Sequence, residues 1–179
     1  MRALVFLATG FEEMEAIGTI DILRRAGVET DTVSITGDKT VTGVHGIPVV
    51  ADELFEEIDF WDCIAFILPG GGPGSIMLNQ HEDLREVLVN AAESSLIAAI
   101  CAAPRVLGSL GLLKGKKATC YPGIEPELTG ATILPNSVVT DENIITGRGP
   151  GSVIDFGLAI LHYLNANAGQ VASDLLVDL

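Results

Sequence analysis

Short apolar runs recur along the chain, and between them lie stretches in which apolar residues return every three or four positions. Arg2 to Ala8 is the first run, and its unbroken apolar character predicts a strand buried on both faces of a parallel sheet. After Thr9, Gly10 and Phe11, the acids Glu12, Glu13 and Glu15 open a predicted helix that reaches about Ala26. Ile17, Ile20 and Leu23 form its apolar stripe, and Gly27 stops it. Thr30 to Thr36 reads as a second strand, closed by Gly37-Asp38. Val41 to Val50 holds one or two short strands, with Pro48 placing one at an edge. Asp52 to Asp62 is acidic and reads as a short helix plus loop, and Cys63 to Leu68 as another buried strand. Pro69 to Gly74 is a glycine-rich turn, and His81 to Ser94 a helix.

The pattern sharpens at residues 96–105. Leu96 to Ile100 is a buried strand in outline, Cys101 follows at once, and after Ala102 and Ala103 comes Pro104, which suits the first turn of a helix over Arg105 to Leu110. Strand, sharp turn with a nucleophile, and helix together make a nucleophile elbow. A thiol at that corner sits at the positive end of a helix dipole, so its pKa is expected below that of an ordinary cysteine. A free cysteine that is only a small buried hydrophobe is the competing reading, and the stretch alone does not separate the two.

Lys116 to Cys120 then reads as a strand carrying Tyr121-Pro122 at its end. Val138 to Thr140 and Asn143 to Thr146 outline a hairpin around Asp141-Glu142. Gly147 to Gly151 leads into a long helix from about Ser152 to Asn165, and Gly169 to Leu176 is a last amphipathic segment. Strand–helix alternation of this kind predicts one three-layer α/β domain over residues 1–179, with a mostly parallel sheet and the hairpin as a minor decoration.

Composition narrows the function classes. With 10 basic and 24 acidic residues the formal charge is −14, which argues against nucleic acid and anionic membrane surfaces as partners. The longest apolar run, Leu96 to Ala103, stops at Pro104, well short of the roughly 20 residues of a membrane helix. The first residues do not read as a signal peptide, because Thr9, Gly10 and the acids follow too soon. Cys63, Cys101 and Cys120 are widely spaced, with no CxxC pair. They imply reduced thiols in a cytoplasm and no metal site.

In open α/β sheets ligands gather at the carboxyl ends of strands. Three loops with chemical content fall there: Gly10 to Glu15, Pro69 to Gly74, and the Cys101 elbow. Their convergence raises Cys101 above the reading as a mere hydrophobe. Gly70-Gly71-Gly72 lacks the spacing of a phosphate loop, so a nucleotide is not expected. Its bare N–H groups, with that of Ala102, could point at a developing oxyanion, or the glycines could serve a tight turn alone. Glu12 and Glu13 are explained by a helix start. Glu15, one turn in, can face the cleft, where burial beside a thiolate would raise its pKa. Of the three histidines, His81 and His162 fall at or in helices and His45 in a strand–loop region, which argues against a Cys-His hydrolase.

The elbow Ala99 to Pro104, the acidic loop Gly10 to Glu15, Leu68-Pro69-Gly70-Gly71 and Arg148-Gly149-Pro150-Gly151 together resemble the ThiJ/PfpI superfamily, in its DJ-one-like branch. The four motifs stand in family order over nearly the whole chain. The resemblance implies a flavodoxin-like fold and a homodimer packed around the first helix. It implies Cys101 as nucleophile, Glu15 as its acid partner, and Gly71 and Ala102 as oxyanion donors, with Gly70, Tyr121 and His45 as further substrate-binding positions. The activities it implies need no cofactor: glyoxalase III conversion of methylglyoxal-type dicarbonyls, deglycation of their protein adducts, or an oxidative-stress role. In the last, Cys101 would be a redox sensor or would regulate a chaperone without turnover. Three positions depart from relatives. Ala102 replaces the histidine of protease-like members, which speaks against peptidase activity. Tyr121 replaces a histidine of some members, and His45 an arginine that in many reaches in from the other subunit. Met14 and Ile22, apolar beyond the stripe, add to the expectation of a dimer.

Overall fold

The computed structural model describes residues 2–177. In chain order the elements begin with β1 (Arg2–Leu7), α1 (Glu13–Arg25), β2 (Thr30–Ser34), β3 (Thr40–Thr42), β4 (Pro48–Val50), β5 (Glu53–Leu54) and β6 (Cys63–Leu68). They continue with α2 (Gly72–Gln80), α3 (Glu82–Ala91), β7 (Leu96–Ile100), α4 (Pro104–Ser109), β8 (Lys117–Ala118) and β9 (Thr132–Ile133). Last come β10 (Val138–Asp141), β11 (Ile144–Gly147), α5 (Val153–Tyr163) and α6 (Ala168–Asp174).

Seven strands make one sheet in the order β10-β11-β7-β6-β1-β2-β5. Every neighbouring pair is parallel except β10–β11. The apolar runs explain this sheet: a strand buried on both faces must be apolar at every position. Register rows cross the sheet with one face each. Val5, Ile67, Ala98 and Ile145 lie side by side and face the cluster built with α1, α5 and α6. Leu4, Phe66, Ile97 and Ile144 form the next row and face the cluster built with α2, α3 and α4. The result is three layers, with helices on both sides of the sheet, as the alternation predicts.

Four expectations are corrected. The hairpin is no decoration: β11 is a central strand hydrogen-bonded to β7, and only β10 is antiparallel at the edge. Gly72 to Gly74, expected as part of a turn, instead open α2, which starts directly on the glycine loop with Pro73 in its first turn and runs through residues the sequence pattern leaves unassigned. The acidic stretch after Asp52 gives a two-residue edge strand, β5, before its short 3₁₀ turn Phe55–Glu57. On α1, Ile22 is buried and Ile17 is 44% exposed, so the buried face is Ala16, Thr19, Ile20, Ile22 and Leu23.

The chain runs from β1 outward to β2 and β5, then returns to β6 on the other side of β1. The connections leave β1 in opposite directions and open a crevice at its carboxyl end, where such sheets hold their ligands. The loops after β1, β6 and β7 meet there.

Candidate active site

The elbow is held from both sides. The Cys101 N–H donates to Gly147 O at 2.9 Å, and the Cys101 carbonyl accepts from Tyr121 N–H at 2.8 Å. Between them the residue is forced to φ +64°, a left-handed conformation that costs a non-glycine residue roughly 1–2 kcal/mol. The strain sits on the residue that the sequence marks as nucleophile, and it lifts the thiol out of the strand's alternation into the crevice.

The glycine loop supplies the second wall. A Cβ on Gly70 would lie 2.5 Å from Glu15 Oε2 and 2.6 Å from Cys101 Cβ, so a bare backbone is what lets the acid and the thiol approach. Gly71 has φ +91°, and a Cβ there would fall 2.3 Å from Gly10 O. Both positions require glycine on steric grounds. The tight-turn explanation is therefore correct, and it coexists with a polar role. The Gly71 and Ala102 N–H groups lie on the Cys101 sulfur's side of the crevice and favour its charge, and the Gly70 N–H donates to Glu15 Oε2 at 2.8 Å.

Glu15 comes from the first turn of α1 and is wholly buried. Glu12 caps that helix, its Oε2 accepting the Glu15 N–H at 2.8 Å. The second oxygen of Glu15, Oε1, has no conventional hydrogen-bond donor. The carboxyl also meets the Cys101 thiol, in a contact that falls short of full hydrogen-bond geometry.

Burial pushes the Glu15 carboxyl up to about 7, against the bonds from Cys101 and Gly70 that favour its charge. Burial also pushes the Cys101 thiol up to about 12, and the charge of Glu15 and its accepting contact add to this. The Gly71 and Ala102 N–H groups work the other way without winning. The expected depression of the Cys101 pKa is therefore not found: α4 has only six residues, and desolvation outweighs its dipole. Two of the three forces that raise Cys101 vanish once Glu15 is protonated. Acid and thiol thus share one negative charge and titrate as a pair. Burial raises Cys63 as well, and it raises Cys120 to about 11.

Of the seven candidate residues, Cys101, Glu15, Gly70, Gly71 and Ala102 meet at one point. Tyr121 joins them through its backbone, while its ring is half exposed and lies against Gly149. Within one copy of the chain His45 does not join them. Its Nδ1 lies 2.9 Å from Glu13 Oε2 and 3.8 Å from Glu12 Oε1, and its side chain is 67% exposed. Glu13 does more than open a helix. Burial opposes its charge, but His45 and the backbone N–H groups of His45 and Ile47 hold its carboxyl below the usual range, fastening the 43–47 loop to α1. No periodicity links residues 32 positions apart, so the sequence carries no sign of that latch. Glu12, Glu13 and His45 bring donor atoms within 4.8 Å of one another, the one set among the described residues whose types could take a metal ion. Arg148 is a further residue beside the site. It stands one position beyond Gly147, and the sequence marks it only as part of a motif.

No described helix is long and apolar enough to cross a membrane. Comparison with known proteins gives the family and the fold. The DJ-1/PfpI family pattern matches residues 1–163. Protein DJ-1 homolog A of Arabidopsis thaliana is 38% identical over 97% of this chain, which spans only 46% of that longer protein. A protein named a deglycase from Pyrococcus abyssi is 34% identical over 86% of this chain and 93% of its own. The crystal structure of Drosophila melanogaster DJ-1beta superposes with a TM-score of 0.95 at 35% identity, covering 100% of both chains. The chain belongs to the DJ-1/PfpI family.

Proposed function

We propose that the chain is a cofactor-independent enzyme acting on small 1,2-dicarbonyls such as methylglyoxal, or on their adducts with proteins. The observation that carries this reading is the pairing of Cys101 with a buried Glu15 that is half protonated near neutral pH. An acid or base poised at the working pH is what proton transfer to carbon requires. The deglycase name of the Pyrococcus relative supports the same substrate class.

The steps follow from the pair. The Cys101 thiol passes its proton to Glu15 as the sulfur attacks the aldehyde carbon, forming a C–S bond and an alkoxide. The thiolate needs no independent stability, because the single charge moves from carboxylate to sulfur to oxygen. N–H groups of Gly71 and Ala102 hold the oxyanion, and Glu15 returns the proton to give the hemithioacetal. Glu15, again a carboxylate, removes the hydrogen from the former aldehyde carbon and delivers it to the neighbouring carbon through an enediol, while the hydroxyl proton on the first carbon's oxygen passes to the second carbon's oxygen. A thioester of the 2-hydroxy acid remains. Water hydrolyses it, releasing lactate and the thiol. Oxidation at one carbon balances reduction at the next, so no external redox partner enters.

A redox sensor would favour an exposed, acidic thiol. Here the thiol is buried to 8% exposure, which limits an oxidant's access, and the Glu15 beside it can take the thiol proton as the sulfur attacks, which supports turnover. Three free cysteines suit a reducing cytoplasm. The test is steady-state lactate formation from a panel of dicarbonyls, with Cys101→Ser as control. Multiple turnovers that vanish in the variant are expected. A single equivalent consumed by wild type, or turnover retained by Cys101→Ser, would overturn the reading.

A further inference from the structure

Beside the elbow lies a cavity of about 310 Å³ that the proton-transfer pair does not use. Tyr121, Ser137, Arg148, Gly149 and Ser152 line it. Its place is fixed by the elbow's own hydrogen bonds. Gly147, which receives the Cys101 N–H, directly precedes Arg148, and Tyr121, which donates to the Cys101 carbonyl, forms the opposite wall. The cavity is thus the neighbour of the elbow through Gly147 and Tyr121.

The cavity holds a cation in a chain of charge −14. Arg148 forms no ion pair among the described residues; its one side-chain bond is from Nη1 to Pro135 O at 3.0 Å. The nearby carboxylates are otherwise engaged. Glu127 pairs with Arg105 at 2.9 Å, and Glu125 accepts the Gly123 N–H at 2.6 Å. A guanidinium carries five donors, so most of the fork that fits an oxyanion remains free. The 3₁₀ turn Pro150–Ser152 and α5 also begin at this wall, adding the positive end of an 11-residue helix. Ser152 is not part of the offer, because its hydroxyl is spent on the backbone of Gly149.

We propose that this cavity is the subsite for an anionic group, a carboxylate or a phosphate ester, carried by the dicarbonyl substrate, with Arg148 as the residue that binds it. The proposal rests on the dicarbonyl reading above and deepens it. The substrate class becomes a 2-oxoaldehyde with a negatively charged substituent, whose charge enters the Arg148 cavity while its aldehyde meets Cys101. Tyr121 flanks such a substituent with an aromatic ring and a hydroxyl.

The test is calorimetric binding of three probes, phenylphosphonate, benzoate and neutral benzyl alcohol, to Cys101→Ser protein. It is repeated after adding Arg148→Gln or Arg148→Lys. Both anions are expected to bind more tightly than the alcohol. Arg148→Gln should weaken the anions about tenfold or more, and Arg148→Lys should weaken them less, because it keeps charge and loses the planar fork. The tighter anion tells a phosphorylated substrate from a carboxylated one. Equal affinity in parent and Arg148→Gln, or no preference for anions over the alcohol, overturns the proposal. If Arg148→Gln melts early for want of the Pro135 bond, Arg148→Lys decides, and unchanged anion affinity there is equally fatal. Binding needs no thiol, so failure here is distinct from a failure of turnover, which is read with uncharged methylglyoxal.

Discussion

Glu15 ties the chemistry to the stability of the fold. The folded protein holds its proton up to about pH 7, whereas the unfolded carboxyl releases it near 4.5. The folded state therefore binds the proton more tightly. The contribution to stability is complete below about 4.5 and is lost as pH rises through about 7. A shift of that size corresponds to about 3 kcal/mol. Glu15→Gln cannot titrate, so urea denaturation of both proteins at several pH values isolates the effect. The stability of wild type relative to the variant is expected to fall by a few kcal/mol between pH 4.5 and 7.5. A constant difference would mean that Glu15 is not buried as an acid. Residues of this kind were only half legible in the sequence. Cys101 stood out because an apolar run ends on it and Pro104 follows. The direction of its pKa did not, because burial and the Glu15 charge come from elements far apart in the chain. The role of Gly70 was ambiguous for the same reason: only the folded crevice shows what its missing Cβ makes room for.

Elements with strong patterns were read correctly, and each miss has a local cause. β1, β6 and β7 are continuous apolar runs, and a parallel sheet with helices on both faces leaves few other uses for them. α2 was missed because Gly72, Pro73 and Gly74 are turn signals by propensity, and tertiary packing of Leu78 overrides them. The central place of β11 was hidden by the turn at Asp141-Glu142, which marks a hairpin correctly but says nothing of the β7 neighbour. His81 was placed at a helix start, and there its Nδ1 accepts the Leu84 N–H at 3.1 Å as an N-cap. On α1, Ile20 and Leu23 are buried as the stripe predicts, but Ile22 takes the place of Ile17, and this matters most because it changes which apolar residues are left for a partner.

For the whole molecule, we propose from that residue set a second copy of the chain as partner. Met14 is 60% exposed and Ile17 44% on α1, and Ile154 is 37% exposed on α5, the helix that packs beside it. Ile22, counted for the dimer from sequence, is buried within the subunit and drops out. A charge of −14 opposes self-association, so apolar side chains held in water on neighbouring helices argue for a specific contact. Light scattering at micromolar concentration is expected to give twice the chain mass. The double variant Met14→Lys, Ile17→Lys is expected to shift it toward one. A wild-type monomer would end the dimer proposal and, with it, any role for His45 in a partner's site.

In the proposed reaction Glu15 moves a proton between adjacent carbons while Cys101 holds the substrate. The most direct measurement is the steady-state rate of lactate formation from methylglyoxal by Glu15→Gln, with the thermal midpoint taken on the same sample. Glutamine keeps the shape of the side chain but cannot exchange a proton with carbon. Neither Ala102 nor Tyr121 supplies an imidazole to replace it. A loss of roughly 10²–10⁴ in rate is expected with the fold intact, the range typical of a general acid–base group. A rate within a few-fold of wild type would contradict the account and leave Cys101 without a proton partner.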